Sequence, residues 1–164
     1  MSDVQTIEGR LQAAGRRFAI VAARFNQRIV DPLVKGALDC FARHGADGGE
    51  LCLVRVPGAW EVPLALEELA APGDFDALVA LAAVIRGETP HFDYICGECS
   101  RGVARVAARY RIPIGFGILT CDDSAQAVER AGGKAGNKGW EAAEAAIEMA
   151  DLKARLQQRG NRGG

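Results

Sequence analysis

Residues 75–87 read "FDALVALAAVIRG". From Ala77 to Ile85 no polar side chain interrupts the run. A strand with one face in water alternates apolar and polar residues, whereas a strand covered on both faces does not. The stretch therefore predicts a central strand of a parallel sheet, with helices on either side. A parallel neighbour requires a crossover connection, so the flanking sequence should alternate strand and helix.

That alternation extends in both directions. Upstream, "RRFAIVAA" (16–23) and "LCLVRV" (51–56) are short β-type runs. Between them "RFNQRIVD" reads as a polar loop, and Pro32 sits where a helix can begin with Asp31 as its N-cap. Leu33, Val34, Ala37, Leu38 and Phe41 then recur at helical spacing until "RHGADGG". After the second strand, "PGAW" is a turn and "EVPLALEELA" a short helix with Pro63 near its start. Downstream, "TPHFDYICGECSRGVARVAARY" is a helix, "PIGFGILT" (113–120) a fourth strand and "DSAQAVERAG" a short helix capped by Asp123 or Ser124. The Gly-rich "GGKAGNKG" leads into a helix over 140–158. Residues 1–15 form an arm or a short strand, and 160–164 a disordered tail. The expected fold is a single α/β domain, a three-layer α/β/α sandwich around a parallel four-stranded sheet.

Composition is that of a soluble globular protein. The chain has 164 residues, 49% hydrophobic and 25% charged, with a net charge of −1. No general attraction to nucleic acid or to an anionic membrane is expected. The longest apolar run is about half of the roughly 20 residues a helical span needs. "GRRFAIVAARF" superficially suggests an export signal, but Arg24 interrupts its short apolar core, and it reads as a cytoplasmic strand. Five cysteines, an odd number without an export signal, argue for reduced thiols.

In open parallel sheets, ligands bind beyond the carboxyl ends of the strands. That rule selects the loops "ARFNQR", "VPGAWE", "IRGETPH" and "LTCDDS". The third contains His91, followed closely by a Cys-x-x-Cys pair, Cys96 and Cys99. Thr89 as N-cap and Pro90 as first helical residue place His91 in the first turn of a helix. There the helix dipole disfavours an imidazolium, so a neutral ring can accept and return a proton. The open backbone N–H groups of "GETPHF" also form an anion site. Geometry alone leaves His91 balanced between that role and a plain surface residue. The two cysteines fall about two turns inside the helix, where the dipole that lowers a thiol pKa has faded. A zinc site lacks a second ligand pair. In "ERAGGKAGNKG", Arg130 suits bidentate phosphate recognition, although in isolation a flexible turn with solvated charges fits the stretch better. Phe25 and Trp60 could stack on a planar ring, with ordinary packing under a loop as the alternative, and Asn26 could read the ring's polar edges; Glu61, after Trp60, also reads simply as an acidic residue in a helix's first turn.

Taken together, "ARFN", "LVKGALDCFARHGA", "VRVPGAWEVPLA", "AVIRGETPHFDY", "GFGILT" and "AVERAGGKAGNKGWEAAEAAIEM" resemble, in order and spacing, the 6,7-dimethyl-8-ribityllumazine synthase family. The resemblance covers residues 16–150. It implies a flavodoxin-like fold and a cofactor-free, metal-free condensation. In that reaction 5-amino-6-(D-ribitylamino)uracil and 3,4-dihydroxy-2-butanone 4-phosphate give the lumazine, phosphate and water, the penultimate step of riboflavin biosynthesis. It also implies roles. Phe25 and Trp60 wall the pyrimidine. Asn26, Glu61 and the Ala59 backbone hold the ribityl chain, and Val84 and Ile85 contact the pyrimidinedione. Glu88 and Thr89 bind phosphate, and His91 shuttles protons. Phe116, Arg130 and Lys138 come from the neighbouring subunit, with Arg130 on the phosphate. Family members form pentamers, many of which build a sixty-chain icosahedral shell, and association with riboflavin synthase is implied. The N-terminal arm would add a strand to a neighbour's sheet. The chain departs from the family pattern at Trp60, Ala82, Gly133 and Cys99. Two other readings remain open: a thiol–disulfide oxidoreductase using Cys96 and Cys99, and a flavin- or lumazine-binding shell protein without turnover.

Overall fold

The computed structural model describes residues 3–163. Its core is a four-stranded parallel sheet in the order β2-β1-β3-β4. The strands are β1 (Phe18–Ala23), β2 (Leu51–Val56), β3 (Ala77–Ile85) and β4 (Ile114–Cys121). The run that opened the sequence is β3, an interior strand whose first seven residues are all buried. Its two faces enter different cores, as the unbroken apolar pattern requires. Ala77, Val79 and Leu81 face α1 (Gln27–Arg43) and α5 (Lys138–Asn161). Leu78, Ala80 and Ala82 face α2 (Val62–Ala70) and α3 (His91–Tyr110). The expected α/β/α sandwich is therefore observed.

Several boundaries differ from expectation. β3 is shorter than 75–87 by two residues at each end. α1 starts at Gln27, and Pro32 lies inside it. Asp31 is thus not an N-cap; it pairs with Arg55 at 3.0 Å. The supposed loop is helical because Ile29 and Val30 are buried on the same face as Leu33 and Val34. α3 begins at His91, with Pro90 as the flanking residue and no side-chain cap, so Thr89 is not the cap. The Gly-rich segment folds into a small antiparallel pair, β5 (Ala131–Gly133) and β6 (Gly136–Asn137). Asn137 then caps α5, its side-chain oxygen accepting from Gly139 and Trp140 N–H groups at 2.8 and 3.1 Å. α5 runs to Asn161, so the first two residues of the expected tail are helical, and Gly164 lies outside the described residues. α4 (Ser124–Arg130) is capped by Asp123, as one of the two readings had it.

Close backbone approaches hold α5 on the sheet and against α1. A Cβ at Gly115 would lie 2.0 Å from the Ala142 carbonyl oxygen, and one at Gly139 would lie 2.0 Å from that of Leu33. Only glycine permits these distances. The N-terminal arm forms no strand among its described residues. It runs back over α5, where the Arg10 N–H donates to Asp151 Oδ2 at 2.7 Å, and on to the end of α1, where the Ala13 N–H donates to the His44 carbonyl at 2.9 Å. Among the described residues no helix is long and apolar enough to cross a membrane.

Candidate functional site

The chain leaves β1 toward β2 on one side and returns to β3 on the other. Loops therefore diverge between the carboxyl ends of β1 and β3, the switch point where such sheets open a crevice. A cleft of about 580 Å³ lies there. Phe25 and Asn26 follow β1; Gly58, Ala59, Trp60 and Glu61 follow β2; Ala83, Val84 and Ile85 end β3; His91, Tyr94 and Ile95 lie on α3.

Local geometry fixes most of these groups. Asn26 takes a left-handed conformation, φ 60° and ψ 42°, as it turns β1 into α1. Its side-chain amide donates to the Ala83 carbonyl at 2.8 Å, which tethers the first loop to the end of β3. Glu61 folds back on its own turn, accepting from the Gly58 N–H at 3.0 Å. Three aromatic residues remain open to solvent around the cleft: Phe25 at 74%, Tyr94 at 68% and Trp60 at 56%. Such a cluster of exposed rings suits stacking against a flat ligand.

His91 is the first residue of α3 and is exposed to the cleft. The backbone N–H groups of Glu88 and Thr89, just before it, donate to no backbone acceptor among the described residues. Both residues are exposed. Together with the first turn of α3 they make a concentration of open donors beside an imidazole, which is the arrangement an anion and a proton-transfer step require.

Phe116, Arg130 and Lys138 are not among the residues lining the cleft. Phe116 is 48% exposed on β4, one of the two outer strands of the sheet. Arg130 ends α4, donating to the Gln126 carbonyl at 3.0 Å. Lys138 opens α5 and pairs with Glu141 at 2.9 Å. Sequence reasoning missed Gly58, Ala83, Tyr94 and Ile95. Tyr94 and Ile95 stand three and four places after His91, on the same helix face, and that spacing was the available signal.

The thiol pair sits deeper in the same helix. Cys99 is buried, and burial, followed by the nearby Cys96 sulfur, pushes its pKa up to about 11. Cys96 is also raised, by burial first and then by Asp93. Neither is a thiolate at neutral pH, so neither has the character of a reactive dithiol. Among the described residues no group of three or more His, Cys, Asp or Glu side chains gathers to hold a metal.

The sequence profile described as 6,7-dimethyl-8-ribityllumazine synthase matches residues 15–154. The chain is 56% identical over 149 residues to the 6,7-dimethyl-8-ribityllumazine synthase of Aquifex aeolicus, covering 91% of this chain and 97% of that protein. It is 57% identical over 148 residues to the protein of the same name from Desulfovibrio desulfuricans, covering 90% and 95%. The corresponding protein of Nitratidesulfovibrio vulgaris is 52% identical over 156 residues, covering 95% of this chain and all of that one.

Proposed function

Because the chain belongs to the 6,7-dimethyl-8-ribityllumazine synthase family, we propose that the cleft between β1 and β3 carries out that family's condensation and is completed by a neighbouring copy. The enzyme is a transferase. It joins 5-amino-6-(D-ribitylamino)uracil to 3,4-dihydroxy-2-butanone 4-phosphate and releases the lumazine, phosphate and water. Nothing in the thiol geometry favours a redox activity.

Phe25 and Trp60 stack on the pyrimidine. The Val84 and Ile85 backbone holds its dione edge, while Asn26, Ala59 and Glu61 take the ribityl chain. Asn26 already spends its amide on Ala83, so its side-chain oxygen is the atom left for substrate. The phosphate sits on the N–H groups of Glu88 and Thr89 at the start of α3. His91, beside it, accepts and returns protons as the imine forms and phosphate departs.

The single observation that carries the shared site is the split in the set. His91 and the aromatic wall converge in one cleft, while Phe116, Arg130 and Lys138 of the same chain are absent from its lining. Supplied by a neighbour, Phe116 closes the ring pocket, Arg130 holds the phosphate and Lys138 stands near the uracil. Such a heterologous contact closes into a ring. We assign a pentamer, with twelve pentamers forming an icosahedral shell. The arm, which pairs with no strand of its own chain among the described residues, adds a strand to the neighbour's sheet. Association with riboflavin synthase and cytoplasmic residence belong to the same reading, the latter supported by five free cysteines.

The test is to incubate the protein with both substrates and follow the fluorescent lumazine, with particle mass measured by light scattering on the same sample. Product formation by an oligomer supports the proposal. A rate equal to the uncatalysed background, or full activity in a monomer, defeats it.

A further inference from the structure

We propose that Arg86 is a positioning residue that braces the phosphate-binding turn and shields it from two carboxylates. The inference rests on reading Glu88 and Thr89 as the phosphate cradle.

Arg86 is the residue immediately after β3. Its backbone N–H donates to the Cys121 carbonyl at 2.8 Å, extending the β3–β4 ladder by one step. Its side chain then links two further elements. Nε lies 3.0 Å from Asp122 Oδ1, in the loop after β4. Nη1 lies 3.7 Å from Asp93 Oδ1, in the first turn of α3. The guanidinium covers the ring of Phe92 at 4.5 Å from its centroid, and Phe92 is a buried residue in the first turn of α3. One planar cation thus joins the end of β3, the start of α3 and the loop after β4. The exposed turn 87–90 runs between its backbone and the helix its side chain grips.

The electrostatics explain why a cation is needed here. Asp93 lies in the first turn of α3, where it interacts with the same dipole that would hold a phosphate. Asp122 adds a second negative charge, 3.0 Å from the side chain of the residue that leads into the turn. An incoming phosphate meets repulsion from both unless a counter-charge intervenes. Arg86 pairs with both, and leaves the open N–H groups of Glu88 and Thr89 to the ligand. It need not touch the phosphate to act. A lysine keeps the charge but loses the flat face against Phe92 and the forked reach to two carboxylates.

Steady-state kinetics on the assembled enzyme test this, with inorganic phosphate as a competitive probe. Arg86→Gln is expected to raise KM for the butanone phosphate, and Ki for inorganic phosphate, by about tenfold. Turnover and KM for the uracil substrate should change by less than about twofold. Removing the carboxylates as well, in Arg86→Gln with Asp93→Asn and Asp122→Asn, should recover most of the lost phosphate affinity. A purely structural role would not respond in that direction. If Arg86→Gln does not assemble, Arg86→Met, which also removes the charge but keeps an apolar stem against Phe92, makes the same comparison with and without the two Asn substitutions. Unchanged phosphate affinity in the single variant, or no recovery in the multiple one, overturns the inference. Failure of inorganic phosphate to compete in the unaltered enzyme overturns the cradle itself, and this inference with it.

Discussion

The side-chain amide of Asn26 donates to the Ala83 carbonyl at 2.8 Å, so one residue closes the gap between the loop after β1 and the end of β3. Asn26 also holds φ at 60°, a conformation asparagine tolerates better than most residues. Asn26→Ala loses the bond and strains the backbone. Stability should fall by about 1–3 kcal/mol in urea denaturation. Asn26→Gly relieves the strain but restores no side chain. It should regain part of the stability, while KM for the uracil substrate stays high. A normal KM in the glycine variant would remove Asn26 from the substrate contacts.

His91 and Arg130 are expected to fail differently, and to rescue one another. His91→Ala removes proton transfer, a contribution typically worth about 10²–10⁴-fold, and should lower turnover. Arg130→Ala should chiefly weaken binding of the phosphate substrate. Each single variant ruins every site of its own ring. Coassembled in equal amounts, the two leave about a quarter of the sites with an intact His91 facing an intact Arg130, if the site spans two chains. Denaturing and refolding the mixture, then measuring the rate per chain, checks this. No recovery on mixing would place both residues in one chain's site.

The cysteine pair should prove inert. Burial raises both thiols, with Cys99 at about 11, so the thiolate form is scarce at pH 8. Cys52 is exposed and should react first with an aromatic disulfide reagent. Replacing Cys96 and Cys99 together with serine should leave lumazine formation within about threefold of the parent. Disulfide reductase activity that disappears in that variant would revive the redox alternative.

How far the sequence could be read depended on what each residue reports locally. β3 was legible because cover on both faces writes an unbroken apolar run. The four crevice loops followed from the order of strands and helices. The start of α1 was missed because Pro32 resembles a first helical residue. The decisive signal was the i, i+4 pairing of Ile29 with Leu33 and Val30 with Val34. The β5–β6 pair is only five residues of strand with glycine at most positions, too few side chains to carry a period. In the site, the aromatic wall and His91 could be named from their loops. Tyr94 could be reached only through its spacing from His91 on α3; Arg86 could not be named, because its importance depends on which loops meet beyond β3 and β4.

Gly115→Ala tests the contact that seats α5. The added Cβ would stand 2.0 Å from the Ala142 carbonyl oxygen, a backbone atom that can yield only if the helix moves. Overpacking of this kind typically costs about 1–3 kcal/mol or more. A clear drop in the denaturation midpoint is expected. Activity should fall as well, since α5 begins at Lys138. Gly48→Ala is the control: nothing lies within 4 Å of its added Cβ, and little change should follow.

Asp151 gives the fold an acid limit. It is buried, and burial alone would raise its pKa. Hydrogen bonds from Arg155, from the Arg10 N–H and from Arg16, with the charge of Arg155, outweigh that and lower it to about 2. The contacts are short: 2.6 Å from Arg155, 2.7 Å from the Arg10 N–H and 3.0 Å from Arg16. In the unfolded chain the carboxyl titrates near its ordinary value, close to 4, and so binds its proton first as pH falls. The stabilisation is therefore complete above about pH 5 and is lost progressively between about pH 4 and pH 2. Its size is on the order of 2 kcal/mol. Asp151→Asn should lower the melting temperature at pH 7, and the gap to the parent should shrink toward pH 2–3. Because the Arg10 contact ties down the arm, the same variant should expose residues 3–12 to protease at neutral pH. A melting-temperature gap that stays constant across that pH range would refute the assignment of Asp151 as the group responsible.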